Sequence, residues 1–128
     1  LLLETIDHPP GEIIKEIHTK YAIDFNKKYD FTGHVFQGRY FSRLILSQDY
    51  FLKVSRYIHL NPVEAEIVKD PGNYIWSSYS VFAEEGKEDP IVTTSRTLDM
   101  FQGLLEEKRD QYIQFVNKRD ETMEVGKL

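Results

Sequence analysis

The sequence predicts an α+β domain that is predominantly helical, and three observations carry that expectation. Apolar residues recur at three- and four-residue steps over residues 11–29 and again from about 49 to 61, the spacing of amphipathic helices. Between them, residues 39–46 alternate with the two-residue period of a strand. The chain is also 41% hydrophobic and 13% aromatic over 128 residues, enough for one buried core.

In chain order, Leu1 to Glu4 reads as the end of a buried strand whose beginning lies upstream, so the chain is expected to be a fragment. His8-Pro9-Pro10-Gly11 is a breaker that leads into the first helix, where Ile14, Ile17, Tyr21 and Phe25 make the apolar stripe. Asp30-Phe31-Thr32-Gly33 is a turn. Residues 34–46 then form a strand entered through a bend at Gly38, with Arg39, Phe41, Arg43 and Ile45 on one face and Tyr40, Ser42, Leu44 and Leu46 on the other. Arginines interleaved with aromatics can hold phosphates and stack on bases, or can simply protect a strand edge with charge.

Ser47-Gln48-Asp49 supplies an N-cap and a first-turn acid for the second helix. Phe51, Val54 and Ile58 give its core stripe, which Ser55 can join. Tyr50, Val54, Tyr57 and Asn61 give an adjoining stripe, and Lys53 and Arg56 point elsewhere. Pro62 is expected to end this helix near Asn61 and to start a short one over Val63 to Val68. After the loop Asp70-Pro71-Gly72-Asn73, Trp76 is expected to anchor the core, and Ser77 or Ser78 to cap a helix through about Glu84. Residues 84–89 are an acidic loop. Thr93-Thr94-Ser95 caps a helix that Gly103 interrupts, residues 104–119 form a charged helix, and Asp120 to Leu128 fray. The expected organisation is a domain over residues 1–83 with a helical extension or linker over 84–128.

Several function classes find no support. There is no cysteine, and His8, His18, His34 and His59 show no local metal-binding spacing. Phosphate-binding loops, nucleophile elbows and dinucleotide turns are missing from the sequence. No apolar run approaches the ~18 residues needed to span a membrane, and no secretory signal opens the chain, so a cytoplasmic protein without a membrane partner is expected. The formal charge is -5, yet residues 33–61 alone carry a net +3, so the one basic block surrounds the second helix.

Within that block, Tyr57 and Asn61 lie four residues apart, on one helix face. A phenol beside an amide oxygen suits a nucleophile beside a ligand for a hard cation, since tyrosine attacks phosphodiesters when a metal polarises the phosphate. The pair equally suits two polar residues closing a helix. One amide cannot hold a metal alone.

Four segments carry a resemblance to a known family. They are Leu1-Leu2-Leu3-Glu4-Thr5, Thr32-Gly33-His34-Val35-Phe36-Gln37-Gly38-Arg39-Tyr40, Ser55-Arg56-Tyr57-Ile58-His59-Leu60-Asn61-Pro62-Val63, and Tyr74-Ile75-Trp76-Ser77-Ser78-Tyr79. In order and spacing they resemble the REP-associated single-tyrosine transposases, members of the HUH (His-hydrophobe-His) endonucleases, over residues 1–83. The resemblance implies a ferredoxin-like α+β transposase fold, here truncated, with helices on a short antiparallel sheet. It implies cleavage and strand transfer of single-stranded DNA beside a hairpin, through a 5′-phosphotyrosine and with Mg²⁺ or Mn²⁺.

By position, Tyr57 matches the family's nucleophile and Asn61 its third metal ligand. Arg39 and Arg43 become candidate DNA contacts, as does Arg56 in the same basic block. The family's two metal-binding histidines precede the equivalent of Leu1, and neither His8 nor His34 replaces them. The chain alone is therefore expected to bind no metal and to lack nuclease activity. A non-catalytic hairpin-binding module and a helical protein-interaction piece using residues 94–119 stay open, as does homodimerisation through an exposed strand edge.

Overall fold

A computed structural model describes residues 1–118, and these form five α-helices: α1 (Pro10–Tyr29), α2 (Gln48–Glu64), α3 (Tyr79–Ala83), α4 (Ser95–Leu98) and α5 (Leu105–Asn117). A short 3-10 helix, Pro71–Asn73, lies between α2 and α3. No strand is present among the described residues, which corrects the expected α+β ferredoxin-like fold and its antiparallel sheet. The physical reason lies in pairing. A strand is held by backbone bonds to a neighbour, and residues 39–46, despite their alternation, have no paired segment among the described residues. Leu1 to Glu4 is likewise irregular.

The chain divides into two compact units, Leu1–Leu44 and Ile45–Leu128. In the first, α1 begins with a proline at its first position, where the missing N–H costs nothing. It ends at Asp30, whose left-handed backbone (φ 47°) lets its N–H bond the Asn26 carbonyl. Residues 31–42 fold back along this helix through rings. Phe31 meets Phe25 edge-on, and Phe36 stacks on His18 with centroids 3.9 Å apart. No residue of this unit is fully buried.

The second unit holds the core. Tyr79, Phe82, Leu98, Tyr112 and Val116 form a buried cluster, flanked by Leu60, Ala83, Val92, Phe101 and Phe115. Residues 84–117, expected as an extension or linker, thus contribute α4 and α5 to this core. Arg109 of α5 donates from one nitrogen to the Val81 and Phe82 carbonyls at 2.8 and 2.7 Å, closing the open end of α3. The start of α5 is set by Glu107, whose carboxylate accepts the Leu104 N–H at 2.7 Å. Gly103 precedes it at φ 100°, and a Cβ there would collide with that carboxylate. The expected end of this helix at 119 and the fraying from Asp120 lie outside the described residues.

Two further expectations are corrected. Pro62 does not end α2, which runs to Glu64, because the Ala65 N–H bonds the Asn61 carbonyl and the Ile67 N–H bonds the Pro62 carbonyl. The proline removes one bond, and its neighbours in the last turn still find acceptors. Val63 to Val68 is accordingly the tail of α2 followed by a turn. Trp76 is 81% exposed and anchors nothing. Ser77 Oγ accepts the Tyr79 N–H at 3.1 Å, and the helix it opens turns Tyr79 and Phe82 inward instead.

These burials predict a reversal of the expected importance of two residues. Leu98→Ala, at a side chain 1% exposed, should lower stability by about 2–5 kcal/mol. Trp76→Ala should change it by no more than about 0.5 kcal/mol. Urea unfolding followed by circular dichroism measures both, and a larger loss at Trp76 than at Leu98 would contradict this placement.

Candidate functional site

The site is built on α2, and its geometry follows from how that helix is held. Ser47 opens α2 by accepting the Tyr50 N–H at 3.3 Å, with Asp49 in the first turn where the helix dipole favours an acid. Ser55, Arg56, His59 and Pro62 are then buried. At their three- and four-residue spacing they define the face that packs on α5.

That face is unusually polar, and its polar groups are satisfied by one another. Tyr112 of α5 is fully buried, and its hydroxyl lies 2.6 Å from Ser55 Oγ and 2.7 Å from His59 Nδ1. His59 Nε2 lies 3.0 Å from Ser78 Oγ. Burial lowers the His59 pKa from 6.5 to about 4, so the ring is neutral at pH 7, one nitrogen donating and the other accepting. The hydrogen bonds linking Ser55, Tyr112, His59 and Ser78 can all donate in one direction or all in the other with every link made. Burial also pushes the Tyr112 phenol above its ordinary value. The rings of Tyr79, Phe82 and Tyr112 surround the imidazole in edge-to-face contact at 5.1–5.9 Å.

Arg56 was a candidate DNA contact, and the fold places it elsewhere. Its Nε donates to the Val116 carbonyl at 3.0 Å, and its guanidinium lies 5.7 Å from the centre of the Phe115 ring, at only 4% exposure. An arginine in that position joins α2 to α5.

Tyr57 and Asn61 face the other way, and both are exposed. Lys53, one turn before Tyr57, is exposed at the same four-residue spacing, and so lies on this face rather than off it. A helix face carrying an ammonium, a phenol and an amide in line offers hydrogen-bond donors and a ring for stacking. Arg39 and Arg43 are exposed too, but belong to the first unit. The sequence reading missed His59, Ser55 and Tyr112 as a network. Only the three- and four-residue spacing of Ser55, His59 and Pro62 hinted that they share a face.

The Mg²⁺ or Mn²⁺ implied by the resemblance does not fit the residues present. Among the described residues no three His, Asp or Glu side chains converge as metal ligands, and Asn61 offers a single amide oxygen. Among them also, no helix is long and apolar enough to cross a membrane. No protein-family model, curated protein or solved structure matches this chain.

The His59 network makes stability depend on pH with a defined sign. The unfolded chain takes up a proton on His59 near pH 6.5, and the folded chain only near 4. Between those values the unfolded state binds more protons, so stability is full above 6.5 and falls as pH drops towards 4. This group alone should remove about 2 kcal/mol between pH 7 and pH 5. Urea titrations at the two pH values should show that loss in the native chain and a smaller one in His59→Gln. An equal loss in both would refute the assignment.

Proposed function

We propose that this protein binds DNA, as a relative of the single-tyrosine transposases, and presents the Lys53–Tyr57–Asn61 face of α2 to single-stranded or hairpin DNA. One observation supports the reading. Of the segment Ser55 to Val63 that carries the resemblance, Ser55, Arg56, His59 and Pro62 are consumed by the core, whereas Tyr57 and Asn61 are left outside it. Packing accounts for the first group and gives no role to the second. Exposed polar and aromatic residues on a rigid helix are suited to contact a partner.

The partner's chemistry is argued from charge. Of the net positive block over residues 33–61, Lys53 lies exposed on this face and Arg39 and Arg43 lie exposed in the first unit, and such cations suit a phosphate backbone. A phenol 36% exposed can stack on an unpaired base. The reading stops at binding, because the resemblance routes tyrosine attack through a divalent ion and no three His, Asp or Glu side chains converge to hold one among the described residues. A cytoplasmic location, with access to the DNA of a mobile element, accompanies it.

Fluorescence anisotropy of labelled single-stranded and hairpin oligonucleotides at low salt tests the reading. Binding should weaken as salt rises. Tyr57→Ala should cost roughly 5- to 100-fold in affinity through lost stacking, and Tyr57→Phe much less. The purified chain should not nick DNA in Mg²⁺ or Mn²⁺. Absence of binding at low salt would end the proposal, and robust metal-dependent nicking would overturn its restriction to binding.

A further inference from the structure

The first unit contains a groove of about 580 Å³ between α1 and the segment that follows Gly38, and the α2 site makes no use of it. Its lining includes Lys15, His18 and Thr19 from α1, and Arg39, Tyr40 and Ser42 from the returning chain. We infer that this groove is a phosphate-binding channel for single-stranded DNA, with Lys15 and Arg39 as its two cationic contacts. The inference rests on the proposed DNA binding and adds a second contact surface to it.

Two aromatic anchors hold the groove open. Near the start of α1, the Tyr40 ring lies so close to Gly11 that a Cβ there would come within 3.0 Å of the Tyr40 hydroxyl. Two turns further along, the Phe36 ring stacks on His18 at an interplanar angle of 9°. The chain leaves α1 between these contacts, bending at Gly38, and the gap is the groove. Lys15 and Arg39 line it from opposite sides.

Charge selects the ligand. No carboxylate lines this groove. Glu12 and Glu16, which share a neighbouring depression with Lys15, are paired with His8 at 3.1 Å and with Lys20 at 3.0 Å. Among the described residues, neither Lys15 nor Arg39 forms an ion pair. Two cations lining one groove repel, and an anion bound between them relieves that repulsion. The hydroxyls of Thr19, Tyr40 and Ser42 add donors suited to phosphate oxygens. The Tyr40 ring lines the groove and is 44% exposed, so an unpaired base can stack on it beside the phosphate track. That favours a single strand over a duplex, whose bases are already stacked on one another.

The test is the salt dependence of binding by the full chain to a single-stranded oligonucleotide. Each phosphate contact to a single strand contributes about 0.7 to the slope of log affinity against log salt. K15A/R39A should therefore flatten the slope by about 1.4 and weaken binding roughly 20-fold at 0.1 M salt. K27A/K69A, an equal loss of charge at exposed lysines outside the groove, should change far less. K15Q/R39Q repeats the measurement with longer polar side chains in place. If the chain binds DNA but both groove variants keep its slope and affinity, the groove assignment is overturned and the α2 reading survives. If the native chain binds no DNA, both fall. Tighter binding of an RNA of the same sequence would overturn the assignment to DNA.

Discussion

The second unit depends on one buried hydroxyl. Tyr112 lies wholly out of solvent, where an unbonded phenol would carry its full desolvation cost. It is satisfied by Ser55 and His59, which sit one helical turn apart on α2. Two bonds from one oxygen to one helix fix both the height and the rotation of α2 against α5. Through His59 the same chain of bonds reaches Ser78, the residue preceding α3. Three elements far apart in sequence are thus registered by a single file of polar groups, which apolar packing alone would leave free to slide.

The rotation of α2 is what gives the candidate site its form. Once Ser55 and His59 are turned towards α5, residues two positions from each must point away, and these are Tyr57 and Asn61. Arg56 reinforces the arrangement by reaching the α5 backbone at Val116. The segments around Tyr57 and around Ser78 are joined by the His59 hydrogen bond and by the contact of its ring with Tyr79.

The first unit is organised differently. It buries no residue completely, and its returning segment is held by ring contacts along α1 rather than by a core. Such an arrangement leaves polar and cationic side chains accessible, and the groove between Lys15 and Arg39 follows from it. It also leaves Phe41 and Leu44 largely exposed, two of the residues whose alternation had suggested a strand.

What could be read from the sequence was local. The three- and four-residue apolar spacing marked α1 and α2, Ser47 marked the start of α2, and the shared face of Tyr57 and Asn61 followed from helix geometry alone. These depend only on neighbours within one or two turns. The strand over 39–46 was misread because alternation reports suitability for a sheet, and a sheet exists only when another segment supplies the bonds. Trp76 was misread because a large ring says how much area burial would gain, not which way the turn before α3 will aim it. The inward role of Arg56 and the His59 network depended on Val116 and Tyr112, more than fifty residues away. The sequence alone determined which residues share a face of α2. Only tertiary structure decided which face looked outwards, because that choice was made by partners on another helix.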